Sequence, residues 1–277
     1  PETLESNTKL LAETIDPSFL CFYTKLKNLY CVSERGAKSS VISYKLNSEN
    51  KLTLLNKVDA GTVSDPCHIA YSAQHVVTAN YSSGNVFVYK RKADGSLSNI
   101  IQTLQHNGSS VHPTRQTKPH THQVTFSPDK KYLLATDLGI DKIMIYKYNA
   151  KNTEQPFTLF SLFDVKAGSG PRHLSFDKSG KKLYLIHELD GTISALKFEK
   201  GNISLLDTNT VARTVNIQNG AADIHISPNG KYVYATNRGN INNISCFEIG
   251  KSGKLSFVEQ ISTEGEGPRN FVITSDG

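Results

Sequence analysis

Tryptophan is absent from this chain of 277 residues, and cysteine occurs only four times. The first absence rules out repeats keyed on a Trp-Asp dipeptide. The cysteines, Cys21, Cys31, Cys67 and Cys246, form no Cys-x-x-Cys pair, and each sits in or beside an apolar run. Free buried thiols in a reducing cytoplasm are therefore expected, rather than disulfides or a cysteine-held metal. No apolar run approaches membrane-spanning length; Leu159 to Val165 is among the longest. Pro1 to Glu5 has neither the basic start nor the apolar stretch of a signal peptide. No stretch carries helical periodicity over a window of about 11 residues. A basic run with interleaved aromatics is also missing: the formal charge of +6 comes from lysines scattered at turns, such as Lys130, Lys131, Lys181 and Lys182. That pattern reads as a solvated surface, so neither a nucleic acid nor a membrane is expected as partner.

What the chain does have is enough core material, with 38% hydrophobic residues and 12 each of Tyr and Phe, and an internal repeat. Phe126-Ser127-Pro128-Asp129 through Ala135-Thr136-Asp137 returns as Ile226-Ser227-Pro228-Asn229 through Ala235-Thr236-Asn237. Equivalent apolar positions fall at Tyr71, Phe126, Phe176, Ile226 and Ile273, at intervals of 55, 50, 50 and 47 residues. Each unit contains four short runs of period-2 alternation separated by Gly, Asn, Asp or Ser-Pro turns, the mark of an antiparallel four-stranded sheet. Four strands per unit of about 50 residues make one propeller blade. The expected fold is all-β, a single β-propeller domain over residues 1–277 with blades near 17–60, 65–108, 119–168, 171–212 and 221–264. Partial blades are expected over 1–16, with a lone outer strand at 8–15, and over 267–277. An open ring leaves unpaired edges, so a seven-bladed ring, cut short in its first and last blades, is the simplest account; a closed ring of six is the alternative.

The meander places the start of the first strand and the end of the second on one face of the ring. Those positions carry Cys67-His68, His120-Thr121-His122, Arg172-His173 and Arg269, with Glu34-Arg35, Asn80-Tyr81, His187-Glu188 and Asn237-Arg238. Seven of the 31 basic residues are Arg; Arg35, Arg172, Arg238 and Arg269 lie on this face and Arg115 in a connection leading to it. Arg presents a planar fork suited to carboxylate or phosphate and stays charged when desolvated. The face therefore predicts a site for a small anion; in the competing account each Arg pairs with an acid such as Glu34, Glu188 or Glu266. His120 and His122, two apart in a strand, are expected to point to the same side. A His-x-His pair can hold zinc, but the Arg-rich surroundings disfavour a cation, and no metal is expected. Glu188 beside Arg172 and Arg238 should stay ionised, as a base or an orienting group.

With these residues in hand the chain resembles the lactonase family of seven-bladed propellers, which includes propeller-type 6-phosphogluconolactonases and carboxy-cis,cis-muconate cyclases. The resemblance is carried by Ala79-Asn80-Tyr81, Arg115-Gln116, Pro119-His120-Thr121-His122, Asp137-Leu138-Gly139 with Asp141-Lys142, Gly170-Pro171-Arg172-His173, His187-Glu188, Thr236-Asn237-Arg238-Gly239 and Gly267-Pro268-Arg269. It implies a cofactor-free enzyme acting on a lactone or its open acid, with a His, two Arg and a Glu in the central cleft. These fall on His120 or His122, Arg172, Glu188 and Arg238, joined by Arg115, Asn80, His173, Asn237 and Arg269 as candidate substrate-binding residues. The implied reaction is hydrolysis of 6-phosphogluconolactone: Arg172 and Arg238 hold the phosphate or polarise the carbonyl, and His120 or His122, aided by Glu188, takes the proton from water. A lactonising cyclase for a carboxymuconate, a non-catalytic interaction propeller and an extracellular sugar-binding protein are the competing readings. A monomer or weak homodimer is expected.

Overall fold

The computed structural model of the protein describes residues 10–61, 64–211 and 220–277. Among them are twenty strands in five antiparallel sheets of four, each a meander in chain order. The first sheet comprises β1 (Pro17–Tyr23), β2 (Asn28–Ser33), β3 (Ser40–Leu46) and β4 (Leu52–Asp59). The second holds β5 (Pro66–Tyr71), β6 (His75–Asn80), β7 (Asn85–Arg91) and β8 (Leu97–Gln105). The third is β9 (Thr121–Phe126), β10 (Tyr132–Asp137), β11 (Lys142–Tyr148) and β12 (Phe157–Asp164). The fourth is β13 (Pro171–Phe176), β14 (Lys182–His187), β15 (Thr192–Glu199) and β16 (Asn202–Thr210); the fifth is β17 (Ala221–Ile226), β18 (Tyr232–Asn237), β19 (Asn243–Ile249) and β20 (Leu255–Ser262).

The sheets pack face to face in sequence order, with β1, β5, β9, β13 and β17 as innermost neighbours and β4 with β8, and β12 with β16, touching further out. One apolar cluster fills each of the four interfaces. Tyr30, Val32, Ile69 and Val76 lie between sheets one and two, and Val77, Val88, Val124 and Leu133 between two and three. Leu134, Ile145, Leu174 and Leu185 follow, then Tyr184, Ile186, Ile224 and Val233. Middle strands such as β6 and β10 are buried along nearly their whole length, whereas outer strands such as β12 expose Leu159, Phe160 and Leu162. Among the described residues no helix is long and apolar enough to cross a membrane.

Residues 10–16 and 267–277 form no strand. The outer strand expected at 8–15 is thus not made in its described part: Leu10, Leu11 and Ile15 stay exposed, and none of residues 10–16 joins a strand ladder. Residues 8 and 9 of that strand, with the rest of 1–9 in the expected partial blade 1–16, lie outside the described residues, as does residue 212 at the end of the fourth expected unit.

One irregularity recurs. Register shifts near the first residues of every inner strand, between Pro17 and Phe19, Pro66 and His68, Pro171 and His173, Ala221 and Ile224, and opposite Asp137 in β9. Ser18, Cys67, His122 and Arg172 are the extra residues. A bulge of this kind breaks the in-out alternation and re-aims the side chain it carries.

Candidate active site

Two positions of each repeat meet at one end of the packed sheets. The bulged residue of the inner strand is the first. The second is the residue that follows the second strand: Glu34, Tyr81, Leu138, Glu188 and Arg238. The backbone N–H of each donates, at 2.7–3.2 Å, to a carbonyl just ahead of its own inner strand, that of Asp16, Asp65, His120, Gly170 or Gly220 respectively. This bond fixes the two positions side by side. Several of the accepting residues turn through left-handed backbone, and at Gly170 (φ 65°) a Cβ would sit 2.6 Å from Cγ of Leu189, so only glycine fits.

Buried acids fasten the loops that carry the site. Asp137 accepts from the N–H of His120 at 2.7 Å and of Gly139 at 3.0 Å and bonds Nδ1 of His106 at 2.6 Å. Asp141 accepts from the N–H of Gly168 and Gly170, both at 2.7 Å, fixing the approach to Arg172. Asp223 bonds His173, His225 and Asn270, which ties down the segment bearing Arg269.

The result is a cavity of about 180 Å³. Glu34, Tyr81, Glu188 and Arg238 reach it from the second position, and His122 and Arg172 from the bulges; Arg115 comes from the 106–120 connection and Arg269 from the segment after β20. Glu188 is the hub. Its Oε1 accepts from Nη2 of Arg115 at 2.6 Å, and its Oε2 lies 2.9 Å from Nε of Arg172 and 3.2 Å from Nη2 of Arg238. Arg172 is the deepest, with a side chain 1% exposed, and it also donates to the carbonyl of Ala222; Arg238 and Arg115 are 23% and 40% exposed. Arg115 further donates to the Tyr81 hydroxyl at 3.1 Å. Arg269 lies 3.5 Å from Glu34. Four guanidiniums thus face two carboxylates.

Burial pushes the Glu188 carboxyl upward, but the guanidiniums of Arg172, Arg238 and Arg115 outweigh it and hold the group below the ordinary carboxylate range. Burial brings Arg172 down to about 10, with Glu188 opposing, so it remains cationic at neutral pH. Burial, reinforced by Arg172, holds His122 well below the ordinary imidazole range, and the ring is neutral. Its Nε2 stands 3.9 Å from Glu188, beyond hydrogen-bond range, and its buried Nδ1 has no partner among the described residues.

Not every residue expected here reaches the cavity. His120 stacks on Tyr81 with ring centroids 4.4 Å apart and bonds the Tyr81 carbonyl at 2.9 Å, outside the lining. The two histidines do not share a side as expected: His120 precedes β9 and the bulge at His122 breaks the alternation. His173 is buried beside the cavity, its Nδ1 2.8 Å from Asp223. Asn80 and Asn237 also turn away. Each donates from Nδ2 across its own hairpin, to Asn85 at 2.8 Å and Asn243 at 2.9 Å, a repeated loop clasp rather than a contact with the cavity. Tyr81 and Glu34 line it although neither was singled out as a site residue; the signal was their repeat position, the same as that of Glu188 and Arg238. Among the described residues no group of three or more His, Cys, Asp or Glu converges as a metal site.

Known proteins resemble this chain over nearly its whole length. Residues 2–277 match a family described as lactonase, seven-bladed β-propeller. The chain is 34% identical over 279 residues to a 6-phosphogluconolactonase of Bacillus subtilis, covering 97% of this chain and 77% of that protein. It is likewise 34% identical to a 6-phosphogluconolactonase of Formosa agariphila, over 99% of this chain and 81% of the relative. Among solved structures, the periplasmic gluconolactonase of Pseudomonas aeruginosa superposes with a TM-score of 0.91 at 34% identity, covering 96% of this chain and 77% of that one.

Proposed function

We propose, from the premise that the chain belongs to the lactonase family of seven-bladed β-propellers, that it hydrolyses 6-phosphogluconolactone to 6-phosphogluconate. The observation that carries the reading is the Glu188 hub: one carboxylate holds three guanidiniums around a small cavity and cannot neutralise them all. Counting Arg269 and Glu34, the lining keeps two positive charges in excess, which a phosphate dianion balances. Arg offers that anion paired, planar donors. A cavity of about 180 Å³ suits a ligand of single-sugar size and is smaller than the sites of drug-sized molecules, roughly 300–1,000 Å³.

Differences in depth support distinct roles. Arg115 and Arg238, nearer solvent, take the phosphate at the mouth. Arg172, buried and fixed by Glu188 and the Ala222 carbonyl, faces the lactone carbonyl and stabilises the oxyanion formed on attack. Glu188, with both oxygens committed, orients the arginines rather than moving protons. The neutral ring of His122 offers a hydrogen-bond partner to a sugar hydroxyl. His120 buttresses Tyr81 from behind. The five sheets are read as consecutive blades of a seven-bladed ring, and the free cysteines support a reading of the protein as cytoplasmic.

The test is hydrolysis of 6-phosphogluconolactone, measured by coupling the product to 6-phosphogluconate dehydrogenase, beside unphosphorylated gluconolactone and a carboxymuconolactone. The expected order is phosphorylated first, with kcat/KM at least tenfold above the others. No acceleration of any lactone over the spontaneous rate, with 6-phosphogluconate failing to bind, would overturn the reading and leave an interaction propeller.

A further inference from the structure

We propose that Glu34 is the base that activates the hydrolytic water. The inference rests on the lactonase reading above and adds the proton acceptor which that reading leaves open.

Two carboxylates reach the cavity from the same position of different repeats, and their surroundings differ. Glu188 is held by three guanidiniums at 2.6–3.2 Å, so neither oxygen is free. Glu34 meets one guanidinium, Arg269, at 3.5 Å, and its carboxylate lines the same open cavity. Its other charged neighbours are Asp65, just ahead of β5, Arg172 of β13, and Asp16, which shares an adjoining cleft, and the buried thiol of Cys67 faces it from β5. Burial raises the Glu34 carboxyl above the ordinary carboxylate range, with Arg269 and a hydrogen bond from the Ser18 hydroxyl opposing and Asp65 adding to the rise. Two carboxyls pushed apart in this way divide the labour: the one held low is a fixed charge, the one raised exchanges protons. His122 is the weaker candidate, because accepting a proton would create an imidazolium beside Arg172 in a desolvated site.

In the step, the Glu34 carboxylate takes a proton from water as the water oxygen bonds to the lactone carbonyl carbon. The carbonyl electron pair moves onto its oxygen beside Arg172. On collapse the bond from carbon to ring oxygen breaks, and the ring oxygen takes the proton back from Glu34. The product acid then ionises in solution, and Glu34 is again a carboxylate.

Glu34→Gln preserves size and removes the base. The expected result is a kcat reduced about 100-fold or more, a KM within threefold of wild type, and loss of the acidic limb of the kcat/KM profile; Glu34→Asp recovers part of the rate. In Glu34→Ala, which leaves space, added formate should restore activity in a saturable way, a response that a merely structural role would not give. If the wild type is active and Glu34→Gln keeps its kcat within threefold, or loses rate with an unchanged acidic limb and no formate rescue of the Ala variant, Glu34 is not the base and the lactonase reading stands. If the wild type hydrolyses no lactone, the functional reading falls first.

Discussion

Replacing Glu188 by Gln keeps the side-chain volume and deletes the one charge that three guanidiniums share. Removing a single partner from a buried ion pair costs about 3–5 kcal/mol, because the charge left behind is uncompensated. Only Arg172 is fully in that regime; Arg238 and Arg115 are 23% and 40% exposed, and solvent screens them. The low end, about 3 kcal/mol, is therefore expected. For a chain of this size that corresponds to a fall in Tm of about 6–12 °C, measurable by scanning calorimetry or fluorescence at pH 7. A bound anion should take over the missing charge. 6-Phosphogluconate at about 100 times the wild-type Kd adds about 2.7 kcal/mol to the wild type, and because binding to Glu188→Gln should be tighter, the same concentration should raise the variant's Tm by more. The sign with pH is also fixed. The folded pKa of Glu188 lies below its unfolded value, so its contribution is present above that unfolded value, about 4.3, and is lost as pH falls through the folded pKa. The gap between variant and wild type should close in acid. A Tm within 2 °C of wild type, or ligand stabilisation no larger than wild type shows, would refute the reasoning.

Arg238→Ala, at the mouth of the cavity, should lower kcat/KM for 6-phosphogluconolactone by about 100-fold while losing far less against unphosphorylated gluconolactone; equal losses on both substrates would remove Arg238 from phosphate binding. Asn80→Ala and Asn237→Ala should each cost about 1–3 kcal/mol in urea denaturation with kcat/KM within twofold of wild type, since both side chains clasp hairpins. His68, His122 and His173 are held neutral by burial, His173 down at about 4. Their unfolded forms take up protons below about 6.5, so stability is full above that value and falls on acidification, by up to about 1.4 kcal/mol per pH unit for each ring. Denaturation at pH 7.0 and 5.0 checks this, and a flat profile would contradict it.

The strands were legible because their signal is local: alternation and Ser-Pro-Asp or Asn-Gly turns sit within one unit, and the interval between units is visible as self-similarity. The face that carries the guanidiniums was legible for the same reason, since a meander fixes which strand ends lie together. The pairing of His120 with His122 misled, because a bulge is a backbone event that leaves no mark on residue type. Asn80 and Asn237 misled differently: their repeat position is right for the face, but a partner five or six residues on captures each amide. Glu34 and Tyr81 passed unremarked as site residues because, one repeat at a time, each looks like an ordinary loop residue.

By itself the sequence determined the all-β class, the four-stranded unit and the collection of Arg, His and Glu at one end, all of which follow from short-range pattern. Only the tertiary structure decided which groups touch. Arg115, Arg172 and Arg238 lie 73, 16 and 50 residues from Glu188 along the chain, and their meeting depends on how separate sheets pack about a common axis. It likewise decided that of two carboxylates at equivalent positions Glu188 is saturated and Glu34 is not. An ionisable group takes its chemistry from the dielectric and the charges around it, and those are set by neighbours that the order of residues does not name.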